Sequence, residues 1–187
     1  LPGCCDPTPR VAEEPIHGAA IPPKLSARSD WAQQLADSGA VGTFVLWEPD
    51  RARVQASDTA RARWGFLPAS TFKVFNSLVA LQTGAVADEH TIIEWDGVQR
   101  RASGWDQDQD MAQAIAHSTV WWYQEVARRA GPDRMQYWLD TVGYGNHTMG
   151  DPIDLFWLQG DLRITPLEQI RFMEALHREA LPFAVAH

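Results

Sequence analysis

Apolar residues show no regular period over the first 25 positions, which hold six of the chain's twelve prolines, so residues 1–25 read as a leader remnant or tether and residues 26–187 as the folded domain. From Ser29 the pattern becomes structural. Ser29 and Asp30 can cap a short helix carrying Trp31 and Leu35, which Gly39 stops. Val41 to Trp47 is an apolar run of strand length, Pro49-Asp50 turns the chain, and Arg53 to Ala56 is polar enough to return as a surface or edge strand of a hairpin. After Pro68 the period turns helical: Phe72, Phe75, Leu78, Val79 and Leu81 predict a buried helix that begins close to Ser70 and stops at Gly84. Asp108 to His117 predicts a helix with Met111, Ala114, Ile115 and Ser118 on one face, and Gly131-Pro132 opens another through Met135, Trp138 and Leu139, ended by Gly143. Residues 151–163 read as a loop. Thr165-Pro166-Leu167-Glu168 is a capping box for a last helix facing Leu167, Ile170, Met173 and Leu176 inward. A helical lobe following a hairpin makes this an α+β chain.

Composition narrows what such a chain does. With 187 residues, 45% of them hydrophobic, it can bury a sizeable core. A formal charge of -8 with scattered arginines offers no basic stripe for nucleic acid. No stretch approaches the roughly 18 apolar residues of a membrane span. Nine tryptophans are a heavy aromatic load, expected in the core or in a cleft wall, each with an N–H that needs a partner when buried. The two cysteines are adjacent, so they neither staple the fold nor build a metal site alone. Leu1-Pro2-Gly3-Cys4 is similar to the end of a bacterial lipoprotein leader with Cys4 as the lipidation point, although Pro2 fits that pattern poorly and favours an ordinary leader remnant.

Candidate chemistry centres on Ser70-Thr71-Phe72-Lys73. On a helix this spacing puts hydroxyl and amine on one face about a turn apart. A serine is a weak nucleophile until a base takes its proton, and apolar burial lets a lysine serve by disfavouring the ammonium. The helix start also points backbone N–H groups toward a developing oxyanion. Ser-x-x-Lys alone is a weak motif. Here, however, Lys73 is one of two lysines and stands among Phe72, Val74 and Phe75, where a merely solubilising lysine has no business. Ser118-Thr119-Val120, read as a helix end, and Tyr144-Gly145-Asn146, read as a Gly-flanked turn, can each project short polar groups into a cleft.

In order and spacing, Ser70-Thr71-Phe72-Lys73, Ser118-Thr119-Val120, Tyr144-Gly145-Asn146 and Phe156-Trp157-Leu158-Gln159-Gly160 resemble four successive motifs of class D (oxacillinase-type) serine β-lactamases. The resemblance spans roughly Trp31 to Phe183. Ser-x-x-Lys is shared with class A β-lactamases and penicillin-binding proteins, but those have Asn where this chain has Val120. It implies a two-lobed fold of the serine β-lactamase and penicillin-binding-protein kind, helical lobe plus antiparallel sheet, and hydrolysis of β-lactam antibiotics such as penicillins in a Gram-negative periplasm. By resemblance, Ser70 is the acylated nucleophile and Lys73, carbamylated by carbon dioxide, the general base. Ser118 relays a proton to the leaving nitrogen. Val120 and Leu158 form an apolar lid over Lys73, Trp157 donates its indole N–H to the carbamate, and Tyr144 and Asn146 shape the cleft floor. The resemblance implies no metal, no cofactor beyond carbon dioxide, and a homodimer as one assembly.

Members of that family carry a later Lys-Thr/Ser-Gly strand and a carboxylate-binding Arg, and neither follows Tyr144-Gly145-Asn146 here. The sheet is therefore expected to be incomplete, as in a natural truncation, an inactive product or an N-terminal fragment. Two other readings stand beside hydrolysis: a β-lactam sensor domain acylated without turnover, and a transpeptidase, which Val120 disfavours.

Overall fold

The computed structural model describes residues 25–184 apart from positions 101 and 103. The stretch ahead of Leu25, with Cys4 and Cys5, lies outside the described residues. In chain order the elements are β1 (Leu25–Ala27), α1 (Ser29–Asp37), β2 (Val45–Glu48), β3 (Arg53–Ala56), α2 (Phe72–Gln82), α3 (Met111–Ala116), α4 (Val120–Ala130), α5 (Pro132–Val142) and α6 (Pro166–His177). They form two compact units. One takes the chain up to Phe66 with Val142–Asn146 and Arg163–Leu181, and the other takes Leu67–Thr141, His147–Leu162 and the residues from Pro182 on. Among the described residues no helix is long and apolar enough to cross a membrane.

The first unit is a small mixed sheet with α6 packed on it. Its strand order is β1-β3-β2, with β1 parallel and β2 antiparallel to β3. The sheet is thus not purely antiparallel, and Arg53 to Ala56 is its centre instead of an edge: Val54, Gln55 and Ala56 are buried because strands pair on both sides. Val54 and Ala56 share a face by the two-residue alternation of a strand, and they close a core with Ala62, Leu167 of α6 and the partly buried Leu25, Val45 and Trp47. The apolar run begins its strand only at Val45. Gly42 is a poor strand former, and Val41 is 86% exposed. Thr165 and Glu168 make the expected capping box, but α6 buries Leu167, Phe172 and Ala175, while Met173 faces solvent.

The second unit is helical. Seven of the eleven residues of α2 are buried, including Phe72, Phe75 and Val79, and α4 packs against it with Trp122, Tyr123, Val126 and Ala127. Asp110 and Gln113 form a capping box at α3, where Met111 and Ala114 face inward but Ile115 lies outside. Four indole N–H groups find carbonyls: Trp95 on Val98, Trp105 on His117, Trp121 on Trp105 and Trp122 on Gln109. Arg134 of α5 caps Arg129 and Ala130, the last carbonyls of α4, and Thr83 just past α2, so one cation serves two helix C-termini.

Candidate active site

Pro68 opens a tight turn over Ala69–Thr71 that runs straight into α2, which sets Ser70 at the exposed end and Lys73 one turn deeper. Lys73 is 2% exposed. Its Nζ donates to Ser70 Oγ at 2.8 Å and to Ser118 Oγ at 3.1 Å, and the Ser118 hydroxyl donates to Ser70 Oγ at 3.0 Å. The three expected catalytic residues therefore form a closed triangle. Burial lowers the Lys73 amine from 10.5 to about 8, since no ion-pair partner among the described residues offsets its desolvation. A base of that strength, in contact with the hydroxyl it must deprotonate, fits proton transfer near neutral pH.

Backbone strain flanks the triangle on both sides. Ser118 ends α3, as expected: at φ +53° its N–H bonds the Ile115 carbonyl and the Thr119 N–H bonds the Ala114 carbonyl, and α4 starts directly after Thr119. Ala69, just before the nucleophile, sits at φ +47°. Side chains in this left-handed region cost about 1–2 kcal/mol each, and such residues concentrate where function dictates geometry.

Trp157 is 1% exposed and stacks on Phe72 with ring centroids 5.2 Å apart. Its carbonyl accepts the Ala69 N–H at 3.0 Å, which pins the 151–162 loop to the turn that carries Ser70. Gly160 is required there, because a Cβ would lie 2.7 Å from the Phe156 Cα and carbonyl oxygen. Val120 opens α4 and Leu158 follows Trp157, both half-buried.

Tyr144 and Asn146 lie in the first unit. Tyr144 is fully buried, packs edge-on to Phe172 and donates its hydroxyl to Gln169 Oε1 at 3.0 Å. Asn146 exchanges hydrogen bonds with the backbone of Arg163 at 2.8 and 2.9 Å. Gly145 is demanded by that approach, since a Cβ would fall within van der Waals overlap of the Arg163 carbonyl and φ is +58°. These contacts make the Tyr-Gly-Asn segment a brace between two chain segments of its own unit.

Sequence reasoning missed Tyr123. Its ring faces Lys73 Nζ at 5.7 Å, its carbonyl accepts from Asn76 Nδ2 at 3.0 Å, and its hydroxyl pairs with Ser77 Oγ at 2.9 Å. The helical spacing of Trp122, Val126 and Ala130 signals a buried face of α4, but it does not point to Tyr123.

The chain that brings together this exposed serine, buried lysine and second serine hydroxyl has known relatives. Residues 42–182 match the family of penicillin-binding-protein transpeptidase domains. The chain is 44% identical over 142 residues to the probable β-lactamase YbxI of Bacillus subtilis (strain 168) and 37% identical over 162 residues to β-lactamase OXA-48 of Klebsiella pneumoniae, matches that take in 76% and 87% of this chain. Among solved structures it resembles the class D β-lactamase YbXI from Nostoc (44% identity, TM-score 0.79, 82% of this chain and 65% of that one). It is also similar to FUS-1 (OXA-85), a class D β-lactamase from Fusobacterium nucleatum subsp. polymorphum (33% identity, TM-score 0.82, 86% and 66%). The chain belongs to the penicillin-binding-protein transpeptidase family and, within it, to the class D β-lactamases. It spans 53% of the length of the Bacillus relative and 61% of the Klebsiella one.

Proposed function

We propose that this protein hydrolyses β-lactam antibiotics through an acyl-enzyme on Ser70, with Lys73 as the base. The observation that carries the reading is the triangle of Ser70, Lys73 and Ser118, with its amine buried at 2% exposure and lowered to about 8. As Ser70 Oγ attacks the lactam carbonyl, its proton passes toward Lys73. Ser118, in contact with both partners, is placed to hand a proton to the lactam nitrogen as the ring opens. The Ser70 N–H, in the first helical turn, is the first donor to the oxyanion.

Carbon dioxide fits the Lys73 site. Carbamylation needs a neutral amine without an ion-pair partner, and burial supplies one. The indole N–H of Trp157, which makes no hydrogen bond to another described residue, would hold the carbamate, with Val120 and Leu158 keeping water out. When present, the carbamate supplies the general base for both half-reactions. A periplasmic location belongs to the same reading and is supported by the aperiodic, proline-rich residues 1–25, which read as a leader remnant or tether.

Incubating the full-length gene product with a penicillin and measuring intact mass tests the proposal. One adduct is expected on the parent and none on Ser70→Ala. An equal adduct on Ser70→Ala would remove Ser70 from the chemistry.

A further inference from the structure

Lys73 has an unusual neighbour on α4. The amine contacts Ser70 in the turn that leads into its helix and Ser118 at the α3–α4 junction, and no carboxylate or second cation among the described residues pairs with it. The face of the Tyr123 ring lies over it, 5.7 Å from Nζ to centroid. An ammonium within about 6 Å of an aromatic face is attracted by the ring quadrupole, and more strongly where water is excluded. Both partners are excluded from water here: Lys73 is 2% and Tyr123 0% exposed.

The ring is also fixed in place. Ser77 Oγ meets its hydroxyl at 2.9 Å, Asn76 Nδ2 donates to its carbonyl at 3.0 Å, and Trp122 packs on it with centroids 5.0 Å apart. Asn76 and Ser77 lie one turn beyond Lys73 on α2. The helix that carries the amine thus also grips the ring that faces it. The phenol stays neutral, since burial raises it to about 12.

We propose that Tyr123 is a positioning residue for Lys73: its ring face holds the ammonium form over α4 and so sets the pH at which the neutral amine is released. This deepens the functional reading and rests on it. Two opposing effects act on the amine. Burial favours the neutral form, and the ring favours the charged one. Without the ring, the amine would lose its proton at lower pH.

The test is a direct titration of Lys73 in the full-length gene product by NMR with 13C-labelled lysine side chains, in buffer free of carbon dioxide, with Lys73→Arg assigning the signal. In Tyr123→Leu the Lys73 pKa is expected to fall by roughly half to one pH unit, and Tyr123→Phe, which keeps the ring, should leave it nearly unchanged. The sign discriminates, because a loosened pocket that admits water would move the pKa upward. If Tyr123→Leu does not fold, trifluorophenylalanine at position 123 keeps the shape while weakening the quadrupole, and it should lower the pKa relative to Phe. An unchanged or raised value in both Tyr123→Leu and the fluorinated protein would overturn the proposal. Acylation of Ser70 by penicillin is measured separately. Normal acylation with an unmoved pKa defeats this inference alone, whereas a shifted pKa in a protein that never acylates defeats the functional reading and leaves the ring–amine interaction standing.

Discussion

A buried lysine is a cost that the fold carries for its chemistry. Folding lowers the Lys73 amine from 10.5 to about 8, so between those values the unfolded chain holds a proton that the folded chain has released. Stability must therefore rise with pH across that window. Below pH 8 the full cost applies, on the order of 3 kcal/mol for a shift of this size. Lys73→Met, which fills the same space without a charge, is expected to stabilise the protein at pH 7 by about 1–3 kcal/mol while abolishing hydrolysis, and to lose that advantage by pH 10.5. Urea denaturation at both pH values in carbon dioxide-free buffer checks this; a Met variant no more stable at pH 7 would mean that the burial is not costly. That Ser70 and Lys73 meet was legible in the sequence because a helical spacing and an apolar setting for a rare lysine are local facts, whereas Ser118 joined them only through the family resemblance. Tyr123 was not legible, because its role depends on α4 lying across α2, which no local pattern states.

Among the elements, the ones read correctly carry their own punctuation: Gly39, Gly84 and Gly143 after helices, and the Thr165 capping box before one. The errors fall where neighbours decide. Arg53 to Ala56 looks like an edge until β1 pairs with it, and α6 turns Phe172 rather than Met173 inward to meet Tyr144. Ser118-Thr119-Val120 reads as a helix end, and the left-handed Ser118 is one, but α4 was missed because it starts again directly after Thr119 with no side-chain cap to announce it. The 151–162 loop offers the sharpest test. In Gly160→Ala the new Cβ would sit 2.7 Å from the Phe156 backbone, so the loop must shift and carry Trp157 with it. The variant should lose about 1–3 kcal/mol of stability and, on the proposed reading in which Trp157 shields Lys73, accumulate a long-lived acyl-enzyme. Thermal melting and single-turnover kinetics with a chromogenic β-lactam measure the two effects. Unchanged deacylation in a destabilised protein would confine Gly160 and its loop to the fold.

Across the whole molecule, order and burial are uneven. Helix α1 has no buried residue and rests on a T-shaped contact of Trp31 with Phe44, while α2 buries seven of its eleven residues. Backbone amides of α1 in the 187-residue chain are therefore expected to exchange with solvent deuterium first, and those of α2 and α4 last. Equal protection of α1 would mean that something else covers it. The helices that hold the chemistry are thus the best anchored, and they have to be, for they force Ser118 into a backbone shape that glycine or asparagine would adopt more easily. Glycine or asparagine at position 118 would ease that backbone shape and, in the same exchange, remove the hydroxyl that touches both Lys73 and Ser70, so the joint is held at a conformational cost by the one side chain whose oxygen completes the triangle.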